Sequence, residues 1–294
     1  MSAKPDDALR GHRVSLRGLE ARDMDFLYAC AIHPITGFRW RFRGLSPSPE
    51  DFRAQLWSQV LLQRLIVRND SGASVGLGVC YNGNNADGYA YLAAVGAPQY
   101  MGTGAMAEGA ALFIGEIFRN WNFRKLYMEA PEFNVDQVRS GLGKWFHEEG
   151  RLEAHHFYDG KYHDQLILAL YRDEYEQAVP FIRAALSGDL SATGIGLRTR
   201  ELPDEMLDLD AFCGLLADEL ERDRSLVHPD AHLVDDLGFD SLEMVELTVI
   251  LESLSGARAA ESFERLTTLR ETWLYYCELS SMPVSAELAS AGEP

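Results

Sequence analysis

A break near residue 200 constrains this sequence more than any other feature. Before it, short apolar runs at strand spacing alternate with helical stretches; after it, the apolar runs have helical spacing throughout. The charge breaks at the same place. Residues 1–180 hold 19 basic and 22 acidic side chains, a net of −3, whereas residues 200–282 hold 6 basic and 20 acidic, a net of −14. A chain of 294 residues has room for two ordinary domains, and a shift this large predicts two bodies with different partners. The acidic part is more than a solvating tail, because residues 204–280 are rich in Leu, Val, Met, Phe and Trp and can bury a core. The chain as a whole carries −18, which argues against nucleic acid as a partner.

The first body reads as follows. Residues 13–19 alternate as a strand, residues 22–33 are helical, and Pro49-Glu50-Asp51 opens a helix predicted to run through Leu62. A hairpin pattern then turns at Ser71–Ser74, a strand covers 87–95, and residues 104–118 form a helix rich in small side chains. Residues 125–130 are a strand, residues 135–150 are predicted helical despite two glycines, and strands at 152–159 and 163–171 turn at Gly160. This order predicts an α/β domain over 1–180 with a mixed, largely antiparallel sheet. Gly-, Ser- and Thr-rich residues make 181–203 a linker. Residues 204–282 are predicted as a small all-α domain with helices at 204–222, 241–254 and about 264–279, and 283–294 as a disordered tail.

The four cysteines, Cys30, Cys80, Cys213 and Cys277, form no C-x-x-C pair and are predicted to be reduced thiols. No metal site is expected: His147, His155 and His156 could suggest one, but the last two are adjacent and should point to opposite faces of a strand. No apolar stretch approaches eighteen residues and MSAKPDDALRGHR has no apolar signal core, so a cytoplasmic protein without membrane contact is expected.

The sharpest motif is Leu237-Gly238-Phe239-Asp240-Ser241-Leu242 at the start of an amphipathic helix whose apolar face is Leu247, Ile250, Leu251 and Leu254. A serine there is exposed, and the free N–H groups and dipole of a helix start favour a phosphodiester. Serine is also a common N-cap, which leaves a purely structural role open. With the preceding Asp235-Asp236 and a domain of matching size, this region resembles an acyl or peptidyl carrier protein, a four-helix fold. The resemblance implies 4′-phosphopantetheine on Ser241, attached by a phosphopantetheinyl transferase, and biosynthetic enzymes as docking partners. Glu243, Glu246 and Glu252 would present an acidic helix to basic patches on those partners. Trp273, Tyr275 and Tyr276 depart from the usual pattern, as a changed partner surface or as core.

In the first body, Gln99-Tyr100-Met101-Gly102-Thr103-Gly104 lies between a strand and a helix, where glycines let backbone N–H groups converge on a phosphate. Gly-x-Gly alone is equally a tight turn. The loop lacks a P-loop lysine, and the element order does not suit a dinucleotide fold. Residues 12–175 resemble the GNAT superfamily of acyltransferases, most closely the branch that acetylates ribosomal-protein N-termini. Gln99, Gly102 and Gly104 fit its coenzyme A loop; Asn134, Phe146 with Glu149-Gly150, and Asp159-Gly160-Lys161-Tyr162-His163-Asp164 fit later motifs in order.

The resemblance implies coenzyme A on Gln99, Gly102, Thr103, Gly104 and Asn134, and a backbone N–H from Ala94 or Val95 toward the thioester oxygen. Gly141 stands where many members carry the tyrosine that protonates the departing thiolate. The proton acceptor for an amine is open between Glu129 beside the splayed strand and His163, with Tyr162 and His147 as further candidates. Arg39, Trp40, Arg41, Phe42 and Arg43 form a loop that rims the acceptor side in such folds, either to dock an acidic carrier or carboxylate, or as a solvated loop with its aromatics inward. The expected function is acyl transfer between a pantetheine thioester and a small-molecule amine, with a fused carrier, in specialised-metabolite assembly. Loading of the carrier thiol from acyl-CoA, or an inactive fold that only presents the carrier, are the alternatives.

Overall fold

The computed structural model describes residues 9–101, 103–177, 206–257, 259 and 266–281, divided into an N-terminal and a C-terminal compact unit near residue 182. The expected linker over 181–203 and tail over 283–294 lie outside the described residues.

The N-terminal unit is built on a seven-stranded sheet in the order β1-β2-β3-β4-β5-β7-β6. The strands are β1 (Val14–Arg17), β2 (Val60–Arg68), β3 (Ser74–Asn84), β4 (Tyr89–Gly96), β5 (Lys125–Pro131), β6 (His147–Tyr158) and β7 (Lys161–Tyr171). Every neighbouring pair is antiparallel except β4 and β5, which are parallel because a crossover helix, α3 (Ala105–Asn120), joins them. This is the mixed, largely antiparallel sheet that the order of runs predicts.

The parallel pair is short. It aligns only Tyr89, Ala90 and Tyr91 with Lys125, Leu126 and Tyr127. Beyond that point β4 continues on β3, as far as Gly96 opposite Gly76, while β5 continues on β7, as far as Pro131 opposite Gln165. The two strands therefore splay, and their facing backbone groups are left out of the ladder.

Helix α1 (Met24–Ile32) and helix α2 (Pro49–Leu56) cover one face of the sheet. Asp23 orders the entry to α1 by taking both terminal nitrogens of Arg17 at 2.7 Å and the Glu20 amide at 2.7 Å. These bonds, Arg17 first among them, hold its carboxyl below the ordinary carboxylate range. Ser48 caps α2, accepting from the Asp51 amide at 3.1 Å. The helix stops at Leu56 instead of Leu62: Gln59 turns with φ +58°, and Val60 is already paired with Tyr81 in the sheet. Strand pairing outweighs the local helical preference of that run. Leu27, Trp40, Phe42, Phe52, Leu65 and Leu77 are the heart of this core.

Helix α3 lies on the other face. Its small residues are a packing requirement: a Cβ on Gly109 would stand 2.6 Å from Ile66, and one on Gly78 of β3 would stand 2.8 Å from Phe113. The helix predicted over 135–150 does not form. A single turn, α4 (Glu132–Val135), runs into a 3₁₀ stretch, Asp136–Gly141, and β6 starts at His147. The two glycines decide this. Gly143 adopts φ +74°, and the Gly141 carbonyl accepts from the amides of Lys144, Trp145 and Phe146 at 3.3, 2.8 and 2.9 Å, closing a loop where a helix would have continued.

The C-terminal unit has three helices among its described residues: α5 (Leu209–Glu219), α6 (Ser241–Ser255) and α7 (Leu269–Ser281). Asp208 caps α5, accepting from the Ala211 amide at 2.9 Å. Phe212, Leu216, Leu233, Leu247, Leu251 and Tyr276 form the core. The stacked Phe212 and Tyr276 rings lie 5.4 Å apart. Trp273 donates to the Leu207 carbonyl at 2.9 Å, and the Tyr276 hydroxyl accepts from the Leu207 amide at 3.2 Å. The aromatic cluster of this helix thus tethers the segment before α5 and packs the core. None of the described helices is long and apolar enough to cross a membrane.

Candidate functional site

Each unit has one glycine-containing loop that the sequence singles out ahead of a helix, and the two are built differently. In the C-terminal unit the loop before α6 winds tightly. The Leu237 and Asp236 amides donate to the His232 carbonyl, the Gly238 amide to Val234 at 3.0 Å, and the Phe239 amide to Leu233 at 2.8 Å. Gly238 takes φ +68°, a value that a side chain would strain. Asp240 then caps the helix, its carboxylate accepting the Leu242 amide at 2.9 Å. The capping role open to Ser241 is therefore filled by its neighbour. The serine is the first helical residue, and its hydroxyl is not required for the cap; it is 8% exposed, buried where the sequence led us to expect an exposed side chain.

The acidic face expected on this helix is thinner than the sequence implies. Glu243 is bound to Arg222, whose guanidinium also lies 5.8 Å from the centre of the Phe239 ring. Glu252 accepts the Ala259 amide at 2.9 Å. Two of the three carboxylates hold the unit together. Arg222, which the sequence reading did not single out, is the partner that turns Glu243 inward.

In the N-terminal unit, Tyr100 ends a short 3₁₀ turn, Pro98–Tyr100, and Gly104 stands at the N-cap of α3 with φ +77°. Thr103 is buried; its hydroxyl donates to the Tyr100 carbonyl at 2.9 Å and accepts the Ala105 amide at 3.4 Å. Gln99 is exposed, and Gly102 lies outside the described residues. The acidic residue of the first turn, Glu108, faces away from this end: it is buried against β1, where it takes the Arg13 amide at 2.9 Å and the Arg13 Nε at 3.0 Å. The start of α3 thus has no carboxylate of its own.

A cleft follows the splay between β4 and β5, lined by Ala94, Met106, Ala110, Glu129 and Asn134 among others. Strand alternation separates the two oxyanion candidates. The Ala97 amide donates to Val75 at 2.8 Å, so the odd positions 97 and 95 point their N–H groups at β3. Ala94 alternates with them and aims its N–H into the splay; Val95 spends its own on Leu77 of the ladder.

Among the proton-acceptor candidates, Glu129 stands exposed on β5 in this cleft, with its Oε2 3.4 Å from the Gln165 Nε2. Burial, with the Glu129 charge adding to it, raises the phenols of Tyr81 and Tyr91 above their ordinary range. His163 is placed elsewhere. Its ring packs edge-on to Phe133 at 5.1 Å, its Nδ1 is 3.9 Å from Glu132, and its buried Nε2 has no hydrogen-bond partner. Tyr162 is exposed on the β6–β7 hairpin, and His147 is bound to Glu174 at 2.6 Å. The structure brings Glu129 and Ala94 to one cleft and leaves His163 outside its lining.

Asn134 is committed to the arginine loop: its amide donates to the Arg39 carbonyl at 3.0 Å and its oxygen accepts from Arg39 Nη1 at 3.3 Å. In that loop Trp40 and Phe42 are core, Arg39 also donates to the Phe133 carbonyl at 2.9 Å, and Arg41 donates to Gln55 at 2.6 Å. The aromatics turn inward, as one of the two readings had it, but the arginines are bonded within the unit rather than freely solvated. A side chain at Gly141 would meet the Phe146 ring at 2.9 Å, so this turn leaves no room for a tyrosine at the position where the resemblance implied one. Burial pushes the Cys30 thiol up to about 11 and that of Cys80 up to about 12, so neither supplies a thiolate.

The two histidines expected on opposite faces of β6 are in contact, with ring centroids 4.6 Å apart. A bulge between Leu152 and His156 breaks the alternation on which that expectation rested. His156 and Gln165, which the sequence reading gave no part in the site, are the residues that this bulge brings toward Glu129.

Comparison with known proteins separates the two units as well. Residues 210–272 match the family model described as a phosphopantetheine attachment site. Over 62 residues, 21% of this chain, the sequence is 36% identical to an acyl carrier protein of Syntrophobacter fumaroxidans, covering 76% of that protein. Over the N-terminal part, similar solved structures include a spermidine N-acetyltransferase from Vibrio cholerae in complex with CoA and spermine. It is 20% identical, covers 56% of this chain and 98% of that one, and has a TM-score of 0.45. A GCN5-related N-acetyltransferase from Brucella melitensis is 21% identical, covers 60% of this chain and 82% of that one, and has a TM-score of 0.47.

Proposed function

The C-terminal unit of this chain belongs to the acyl carrier protein family, and on that premise we propose that the whole chain is a GNAT-type acyltransferase with a carrier of its own. Ser241 carries 4′-phosphopantetheine, whose thiol holds acyl groups as thioesters. Asp240 does the capping, so the serine hydroxyl is not tied up in the cap at this helix start, although Ser241 is buried in the structure and must become exposed to receive the arm. An acyl group passes from a pantetheine thioester, on coenzyme A or on the carrier, to an amine. The setting is specialised-metabolite assembly in the cytoplasm, where a carrier holds one intermediate for successive enzymes.

The observation that carries this reading is the splay, with the Ala94 N–H aimed into it and Glu129 in the same cleft. The start of α3, with Gly104 at the N-cap and no carboxylate in the first turn facing it, is suited to the phosphates of coenzyme A. Met106, Ala107, Ala110 and Ala111 offer an apolar, low-relief wall along which a pantetheine arm can lie. Ala94 donates to the thioester oxygen as charge builds on it. Glu129 accepts the proton of the attacking amine. Gln99, exposed beside the loop, and Thr103, which fixes its turn, complete the phosphate end; Asn134 acts by holding Arg39 at the rim.

The test is intact mass spectrometry of the pantetheinylated protein with a panel of acyl-CoAs, alone and with amines. Acyl-amine product with release of free thiol supports transfer to an amine. Acyl mass that stays on the protein with every amine supports loading of the carrier. Neither acyl mass nor thiol release with any pair would leave the N-terminal unit as a scaffold.

A further inference from the structure

We propose that Gln165 and His156 are positioning residues that hold the Glu129 carboxylate in the splay, through a directed hydrogen-bond chain anchored on Arg43. The inference rests on the reading of Glu129 as the proton acceptor and adds residues that the sequence motifs do not mark.

The chain can be followed atom by atom. Arg43 Nη1 has only protons to give, and it lies 2.7 Å from His156 Nδ1, which must therefore accept. That fixes the remaining proton of a neutral imidazole on Nε2, which donates to Gln165 Oε1. The amide orientation follows, and Gln165 Nε2 donates to Glu129 Oε2 at 3.4 Å. Each member has one available role, with a cation at one end and a carboxylate at the other. Gln165 is 6% exposed, so its amide is held in place by packing as well as by bonding.

The backbone is shaped to make this connection. Gln165 pairs with Pro131, two residues from Glu129 and on the same face of the sheet, a diagonal relation across strands. His156 reaches it only because β6 carries extra residues between Leu152, opposite Gln165, and His156, opposite His163. Ala154 in this bulge adopts φ +50°, a strained value for a residue with a Cβ. Asp164 holds it, accepting the Ala154 amide at 2.9 Å and pairing with Arg151 at 3.0 Å. Strain stabilised in this way, beside a candidate site, marks a side chain that is being aimed.

The charge state agrees with the geometry. Burial, with Arg43 and His155 adding to it, keeps His156 below the ordinary imidazole range, against the opposing effect of its bond to Gln165. The groups facing this chain are Arg43 from the loop after α1, Tyr81 of β3, Tyr91 of β4 and His155 of β6.

Two measurements on the full-length protein test the proposal. Nitrogen-detected NMR at neutral pH should show His156 as the neutral tautomer protonated on Nε2; a proton on Nδ1, or an imidazolium, overturns the chain. Kinetics with an acyl-CoA and amine pair that gives product in the mass-spectrometric test above should show Gln165→Leu and His156→Phe lowering kcat about tenfold, part of the ~10²–10⁴-fold that a positioned base contributes, with KM for the acyl-CoA unchanged. His156→Gln keeps a donor toward Gln165 and should recover most of the loss. In a Glu129→Gln background, Gln165→Leu should change kcat less than about twofold, because its effect runs through the missing carboxylate. Additive losses, or no loss from Gln165→Leu, overturn the positioning role while leaving Glu129 in place. An unchanged kcat in Glu129→Gln alone overturns the reading of Glu129 itself.

Discussion

The loop before α6 and the loop before α3 solve the same local problem in opposite ways. Both use a glycine at positive φ to turn the chain into a helix, Gly238 at +68° and Gly104 at +77°. Ahead of α6, Phe239 separates that glycine from Asp240 and Ser241, and the Asp240 carboxylate accepts the Leu242 amide of the first turn. Ahead of α3 the glycine is itself the cap, and Glu108 is turned away to Arg13. A helix start filled by its own carboxylate does not favour a free anion, but it leaves a neighbouring hydroxyl for a covalent phosphodiester. A helix start without one can hold a phosphate that comes and goes. On the function proposed above, the difference between a permanent arm and an exchanging cofactor is written in which residue caps the helix.

The comparison can be broken most severely at Ser241. Ser241→Ala should abolish the pantetheine mass gained with a broad-specificity phosphopantetheinyl transferase and coenzyme A, read by intact mass spectrometry. A mutant that still gains the mass places the arm on another residue.

Making the second loop resemble the first is the next largest effect. Gly104→Asp sets a carboxylate at the start of α3, and calorimetry should find coenzyme A binding weakened by about tenfold or more, the effect of ~1.4 kcal/mol. Gly104→Asn tolerates the same backbone without the charge and should lose less. Equal affinities in both would remove the phosphates from this end of the helix.

The reverse change sharpens the comparison from the other side. Asp240→Ala removes the cap of α6 and should lower the stability of the C-terminal unit by ~1 kcal/mol in chemical denaturation, with Ser241 still able to accept the arm. An unchanged midpoint would show that the Leu242 amide needs no partner.

The smallest effect separates the two units by pH. Burial alone would raise the Glu149 carboxyl, but Lys125 and the hydroxyls of Tyr171 and Tyr127 outweigh it and hold the group at about 2, against an ordinary 4.5. A depressed carboxylate contributes stability that is complete above its unfolded value and is lost as pH falls toward its folded one. The N-terminal unit should therefore weaken between about pH 4.5 and about pH 2. Glu149→Gln should flatten that part of the acid titration, followed by tryptophan fluorescence. A titration of the same slope in wild type and variant would assign it to other groups.

Much of this was legible in the residues. Charge and periodicity separate the two units, and DSL at a helix start marks the serine that we propose carries the arm, because both signals are local. The strand and helix order also gives the mixed sheet. The helix read over 135–150 was lost where Gly141 and Gly143 turned the chain, and the helix from Pro49 stopped short because Val60 found a partner in β3. Local spacing does not report a competing long-range pairing.

What the sequence by itself determined, then, is two bodies of opposite architecture, a helix-starting serine in one and a glycine loop in the other. Tertiary structure alone decided the rest. Only the register of β4 on β3 tells Ala94 from Val95, since adjacent residues differ solely in which edge their N–H faces. Only folding sends Glu243, Glu252 and Asn134 to internal partners. The bulge in β6 decides that His156 meets Gln165, because a side chain's direction depends on every residue counted across the ladder, and that count belongs to the sheet and not to any one strand.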